Sequence, residues 1–437
     1  MDPPHFSNPL KGMSYIELDV KKIFYVLEGY SIDEETKMKI ESVLNRMGKT
    51  FHEKGIAQRV LDIPLSPIKE MELATSKIEG VVSLGQGIPS FKTPLHIRDA
   101  VTAAIAEGQI SYYSLDPGYS TLREAVSEKL KTNNGIIADP DSELIITVGS
   151  SEAFSAAVMV LVDGGQEAII PEPAYPAHIE AVCLADARPK MVPLVEEDGW
   201  RLDLDRIRAA ITDKTAAIIV NTPNNPTGCV FPRKDLEEVA NIALEHELFV
   251  ISDETYEYFT YDGRHHHSIG SVKELWAKGL AVSCFTFSKT YAMTGWRVGY
   301  VVAREAIIDH LLKVHDCFAI CAPTVSQIAA LAALKGPQEC VGVFRQRFLE
   351  RRDLSCEWLD RLGWAYQKPG GAYYVLSEIP SQDSYDYSIE LLRKAKVNTI
   401  PGAAFGKTGE GHIRFSYCMD ERTIDEAYRR IEHANKL

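Results

Sequence analysis

Five short apolar runs punctuate the middle of the chain: Leu144–Val148, Ala168–Pro171, Ala216–Val220, Leu248–Ser252 and Leu280–Phe287. They are continuous rather than alternating, which predicts strands buried on both faces. Between them lie stretches such as Ser150–Val162 and Asp235–His246, where apolar positions recur at helical spacing. Strands alternating with helices predict a parallel sheet covered on both sides. From about Pro323 the pattern changes. Long helices are expected over Val325–Leu334 and Val341–Leu362, then strands around Gly371–Leu376 and His412–Tyr417, which together predict a smaller α+β domain. At the other end, Ser31-Ile-Asp-Glu34 forms a capping box, and Met38, Ile40, Val43, Leu44, Met47 and Phe51 follow on one helical face. That face has to be buried on the main body or on a partner subunit. The expected division is a helical extension over 1–56, a small domain from 57–94 and 323–437, and a large domain over 95–322.

Composition narrows the class. Of 437 residues 45% are hydrophobic and 25% charged, as in globular proteins with a sizeable core. The excess of 61 acidic over 47 basic residues, net −14, repels nucleic acid and anionic membranes, so neither is an expected partner. No apolar stretch approaches the roughly 20 residues of a membrane span. Met-Asp-Pro-Pro-His-Phe-Ser-Asn lacks the basic and apolar regions of a secretory leader. Eight cysteines without a CxxC pair read as reduced thiols, several of them buried (Cys183, Cys284, Cys418), and a cytoplasmic location follows. His265-His-His267 is not read as a metal site, because three consecutive residues on a strand do not converge on one ion.

Candidate chemistry centres on Lys289, in Thr286-Phe-Ser-Lys-Thr-Tyr-Ala-Met-Thr-Gly-Trp-Arg297, directly after a buried-strand pattern. Desolvation there depresses a lysine pKa and leaves an amine able to form a Schiff base. With Arg297, Thr286 and Ser288 nearby, the set suggests an aldehyde cofactor carrying a phosphate, which describes pyridoxal 5'-phosphate. A surface lysine in a strand-to-helix loop is the alternative from this segment alone. Asp253 ends the strand Leu248–Ser252, facing the crevice where open α/β sheets bind ligands, and could pair with a protonated pyridine nitrogen. Tyr256 and Asn225 could donate to the ring's phenolic oxygen. The Gly149-Ser-Ser-Glu-Ala153 turn opens a helix whose N-terminus attracts phosphate.

Taken in order, these segments resemble a known family. Gly87-Ile-Pro-Ser-Phe91, Tyr113 through Gly118 to Leu122-Arg123, Pro173-Ala-Tyr175, Asn225-Pro-Thr-Gly228, Asp253-Glu-Thr-Tyr256, Ser288-Lys289 through Arg297, Pro369-Gly-Gly-Ala-Tyr373 and Arg414-Phe-Ser make up the ordered set. It resembles the fold-type I pyridoxal-phosphate enzymes of the class I/II aminotransferase family, close to aspartate and aromatic aminotransferases, from about Ala57 onward. The resemblance implies an α/β fold: a large domain with a mostly parallel seven-stranded sheet plus the small α+β domain. It implies that Lys289 carries the Schiff base and moves the Cα proton, with Asp253 and Tyr256 tuning the ring. Tyr175 would stack on that ring. Ser150, Ser151, Thr286 and Arg297 would cup the phosphate, and Tyr113 would reach it from the other subunit of a homodimer with shared active sites. Arg414 would clamp the substrate α-carboxylate, with Asn225 and the Gly87 backbone beside it.

The implied activity moves an amino group from an L-amino acid to a 2-oxo acid. Ser151 stands where aspartate-selective bacterial relatives often have lysine, and Tyr112, Tyr113, Tyr373 and Tyr374 would suit an aromatic or other large neutral side chain. A same-fold lyase or oxidase is the alternative. A DNA-binding regulator is not expected, since no helix-turn-helix pattern precedes the domain.

Overall fold

The computed structural model describes residues 56–61, 63 and 66–434. The helix expected within 31–51 lies outside them. From residue 63 onward the chain is organised around a seven-stranded sheet. Numbering all strands along the chain, β1 is Val82–Ser83, and the large sheet holds β2 (Leu144–Thr147), β3 (Glu167–Glu172), β4 (Arg188–Pro193), β5 (Thr215–Asn221), β6 (Phe249–Asp253), β7 (Ala281–Thr286) and β8 (Gly299–Val302). Their spatial order is β2-β8-β7-β6-β5-β3-β4, and every pairing is parallel except those of β8, which runs antiparallel to both neighbours.

Successive side chains of a strand face opposite sides, and the doubled isoleucines show why these runs look continuous. Ile145, Ile170, Ile219, Ile251, Val282 and Val301 pack on one side, against helices Ser150–Leu161, Pro176–Leu184 and Glu305–Ala319. Ile169, Ile218 and Val250 pack on the other with helix Arg233–His246, where Ile146, Tyr300 and Val302 meet helices Leu95–Ala106 and Ser120–Lys129. Each such side chain, fully removed from water, contributes roughly 1.5–3 kcal/mol. Two strands escaped the apolar pattern. β8 has four residues, and β4 is a partly exposed edge strand reading Arg-Pro-Lys-Met-Val-Pro, where prolines are tolerated.

A second layer holds a three-stranded sheet in the order β11 (Ile400–Pro401), β12 (His412–Ser416), β9 (Tyr374–Glu378), with helices Glu339–Leu362 and Glu421–Ala434. Its core includes Phe348, Tyr373, Phe415 and Tyr428. β1 pairs with β10 (Val397–Asn398), so the segment before residue 95 joins this layer. Helix Thr324–Lys335, which the expected boundary at 323 assigns to the small domain, packs its alanines on helices Leu95–Ala106 and Ser120–Lys129. No helix among the described residues is long and apolar enough to cross a membrane.

Candidate active site

The carboxyl ends of β5, β6 and β7 open into a cavity of about 650 Å³. Every residue proposed from the sequence for the cofactor, the proton and the α-carboxylate lines it except Tyr113, which is 77% exposed. Lys289 follows β7, and its Nζ donates to the Gly87 carbonyl at 2.9 Å. Burial, helped by the nearby Arg297 and Arg414 cations, brings the ammonium down to about 8, against the smaller opposing effects of Cys418 and Asp253. At that value roughly a tenth is free base at pH 7, against well under a thousandth for an ordinary lysine. The desolvation expected at this strand end is therefore present.

Asp253 ends β6 and is buried. Burial alone would raise its pKa, but a His178 Nε2 contact at 3.0 Å and donation from the Thr255 hydroxyl (2.6 Å) and amide (3.1 Å) hold it below the ordinary carboxyl range. These contacts favour the carboxylate form inside the cavity, suited to a protonated heterocyclic nitrogen. The His178 support was not legible in the sequence. A lone histidine in the apolar helix Pro176–Leu184 reads as core, and nothing local ties it to a residue 75 positions later.

Arg414 is 2% exposed on β12. Its Nη1 donates to Asn225 Oδ1 at 2.9 Å, its Nη2 donates to the Gly85 carbonyl, and its guanidinium lies 4.4 Å from the Tyr374 ring centroid. Among the described residues no carboxylate pairs with it, and its buried Nε has no partner. A desolvated cation lacking a counter-ion is a site prepared for an anion. Asn225, whose backbone amide donates to Asn221 Oδ1, gives its oxygen to Arg414 and keeps its Nδ2 as the donor.

Of the four tyrosines weighed for the substrate side chain, only Tyr374 lines the cavity. Tyr112 and Tyr113 lie exposed, and Tyr373 is fully buried with its hydroxyl on the Gly87 carbonyl at 2.9 Å. Tyr256 is also buried and shares a 3.0 Å hydrogen bond with the Tyr374 hydroxyl. Gly87 sits against this pair: a Cβ there would meet the Tyr374 hydroxyl oxygen at 1.8 Å. Cys418 Sγ lies 3.2 Å and 3.0 Å from the Gln86 and Ile88 carbonyls, pinning the loop on both sides of Gly87. Gly87→Ala should therefore push Tyr374 away and break the Tyr256 contact. Steady-state kinetics should show at least about a tenfold fall in kcat/KM with little change in cofactor affinity; unchanged kinetics would mean the loop yields freely.

At the opposite end, Gly149 has φ +80° and precedes helix Ser150–Leu161. A Cβ on it would stand 2.7 Å from an Arg297 guanidinium nitrogen, so the glycine lets the arginine approach the helix start. Ser150 shares a 3.1 Å hydrogen bond with Thr255, and the Thr286 hydroxyl donates to that of Ser288 at 2.9 Å. Ser151 and Arg297 are exposed toward the opening. Helix amides, hydroxyls and a guanidinium form a phosphate-binding set. Tyr175, half-buried, stands edge-on to His178 with ring centroids 5.5 Å apart. A desolvated amine, an ionised carboxylate and an anion cradle fit the aldehyde, ring nitrogen and phosphate of pyridoxal phosphate.

Comparison with known proteins agrees with that chemistry. The family model "Aminotransferase class I and II" matches residues 79–431. An aromatic-amino-acid aminotransferase from Thermococcus litoralis is 38% identical, covering 87% of this chain and 98% of its own. An aspartate aminotransferase from Pyrococcus abyssi is 40% identical, covering 84% and 95%. Among solved structures, an aromatic aminotransferase from Pyrococcus horikoshii superposes with a TM-score of 0.79 at 40% identity, covering 84% of this chain and 98% of its own. A Thermus thermophilus aspartate aminotransferase superposes with a TM-score of 0.82 at 34% identity, covering 87% and 100%. The chain belongs to the class I and II aminotransferases and is a pyridoxal-phosphate-dependent enzyme that transfers amino groups between amino acids and 2-oxo acids.

Proposed function

We propose that this aminotransferase holds its cofactor on Lys289 and takes an aromatic or other large neutral L-amino acid as donor. The observation that supports the site assignment is the meeting, in one cavity, of a desolvated lysine, an ionised carboxylate and a buried arginine without a counter-ion. Pyridoxal phosphate supplies, when bound, an electron sink for the charge left at Cα as its proton departs. Asp253 keeps the ring nitrogen protonated, and His178 and Thr255 keep Asp253 charged. Asn225 and Tyr256 donate to the phenolic oxygen, and Tyr175 covers the ring. Ser150, Ser151, Thr286, Ser288 and Arg297 receive the phosphate. Arg414 holds the α-carboxylate beside the Gly87 backbone, and Lys289 Nζ moves the proton from Cα.

The side-chain preference rests on Ser151, which offers no charge at the cavity wall, and on Tyr374, which offers an aromatic face. The relatives include both aromatic and aspartate enzymes. The Thermus enzyme was solved with maleate, and a tetra mutant of it with tryptophan. A screen of amino donors against 2-oxoglutarate and pyruvate, followed by loss of the bound cofactor's visible absorbance, should give aromatic donors a kcat/KM at least about tenfold above aspartate. A preference for aspartate would overturn the assignment.

The small domain of 57–94 and 323–437 against a large one of 95–322 is the proposed organisation, except that helix Thr324–Lys335 goes with the large domain on which it packs, and the cytoplasm is the proposed location. A homodimer is supported by the exposure of Tyr112, Tyr113 and Leu115 on one loop, an apolar edge that a second copy would cover. Mixed dimers test whether Tyr113 serves the neighbouring site. Combining Tyr113→Ala with Lys289→Ala subunits pairs an intact Lys289 with an intact Tyr113 across the interface. Such mixtures should be more active than Tyr113→Ala alone; no gain would keep Tyr113 out of the partner's site.

A further inference from the structure

An enzyme that accepts both a large neutral side chain and a dicarboxylate has to meet opposite demands at one end of its cavity. Four lysine and arginine side chains line this one: Lys69, Lys289, Arg297 and Arg414. On the reading above, which this inference depends on, the last three are committed to the proton, the phosphate and the α-carboxylate. Lys69 is left. It stands on helix Pro67–Thr75, whose Ile68 and Glu72, with the preceding Ser66, also line the cavity.

Lys69 is 65% exposed, and its Nζ donates to Glu72 Oε2 at 2.9 Å. The other oxygen of Glu72 accepts from Gln86 Nε2 at 2.9 Å, one residue before Gly87. An exposed pair at i,i+3 is worth only about 0–1 kcal/mol, so it opens at little cost. Glu72 does not lose all its donors when it opens, because Gln86 remains. Tyr175 feels both cations: burial raises its phenol, with Asp253 and Glu180 adding to the rise, while Arg414 and Lys69 oppose it. Both cations thus act on the group proposed to cover the ring.

We propose that Lys69 is the specificity-determining cation of this enzyme, paired with Glu72 while a neutral side chain occupies the site and turned to the distal carboxylate when a dicarboxylic 2-oxo acid enters. Lys69 would then do from the helix before β1 what Ser151 cannot do from the helix after β2. Glu180 is the other carboxylate at the cavity wall outside this pair and Asp253, and it opposes a dicarboxylate.

The test uses holoenzyme and two acceptors of one size class, 2-oxoglutarate and a neutral 2-oxo acid. Lys69→Ala should raise KM for 2-oxoglutarate by roughly five- to tenfold, leave kcat and the KM for the neutral acceptor unchanged, and lose its effect as salt is raised. Glu180→Gln should lower KM for 2-oxoglutarate. Inhibition by succinate against propionate, both measured as equilibrium binding to the holoenzyme, should show the same split without turnover. Equal losses for both acceptors, or no loss with either, would overturn the role of Lys69. A wild-type enzyme that transfers no amino group with any donor would instead overturn the function on which it rests.

Discussion

Lys289→Ala should lower turnover by roughly 10⁴-fold or more, beyond the 10²–10⁴ that general acid–base catalysis contributes by itself, because both the covalent attachment and the mobile base leave together. The protein should still bind pyridoxal phosphate through Asp253, Tyr256, Arg297 and the turn at Ser150, but without the absorbance of a lysine-linked cofactor. Stability should move the other way. A lysine whose pKa is about 8 in the folded chain and near 10.4 when unfolded penalises folding below pH 8. The penalty shrinks as pH rises toward the unfolded value. The apoprotein of the variant should accordingly melt no lower than wild type at pH 7, with the two curves converging above pH 10. Near-normal transamination by Lys289→Ala would remove the centre of the site assignment.

Arg414→Ala should leave the cofactor spectrum intact and weaken substrate binding by roughly 2–4 kcal/mol, a KM increase of about 30- to 1000-fold. The loss should be shared by all amino donors, since on the proposed assignment every α-carboxylate meets the same guanidinium. Arg414→Lys should recover little of it. The planar fork of the guanidinium reaches Asn225 and the Gly85 carbonyl, lies 4.4 Å from the Tyr374 ring centroid and can still present a donor to the carboxylate; a compact ammonium lacks that fork. A larger fall in kcat than rise in KM would show that Arg414 acts on the reacting atoms and not on the carboxylate.

Much of this site was legible because its chemistry sits at strand ends, where a polar residue interrupts an apolar run. Asp253 and Lys289 are visible in that way, and Asn225, Arg297 and Arg414 through the ordered segments around them. What escaped was support supplied from elsewhere in the chain. His178 reaches Asp253 across 75 positions, and Cys418 reaches the Gly87 loop across more than 300. Neither leaves a local pattern, because a hydrogen bond between distant residues needs only one suitable atom on each side. The tyrosines show the converse error. Tyr112, Tyr113, Tyr373 and Tyr374 look alike in sequence, yet one pair is exposed and Tyr373 is spent on a backbone carbonyl. The strands β4 and β8 were missed for lack of a long apolar run.

The doubled isoleucines of the large sheet carry a consequence for how its alignment is determined. Where one face of a strand is wet, slipping by a residue exposes the apolar set, and the hydrophobic effect alone forbids it. Here Ile145–Ile146, Ile169–Ile170, Ile218–Ile219 and Val250–Ile251 offer the same oil to both sides. A one-residue slide would therefore bring little loss of burial. What it would misplace are the polar tips: Asn221 opposite Asp253 across β5 and β6, and Asp253 opposite Cys284 across β6 and β7. The polar residues at the carboxyl rim, the proposed ring partner Asp253 among them, are thus also the ones that index the strands. Exchanges among isoleucine, valine and leucine inside this sheet should be absorbed, while changes at its carboxyl rim should disturb folding fidelity and catalysis together.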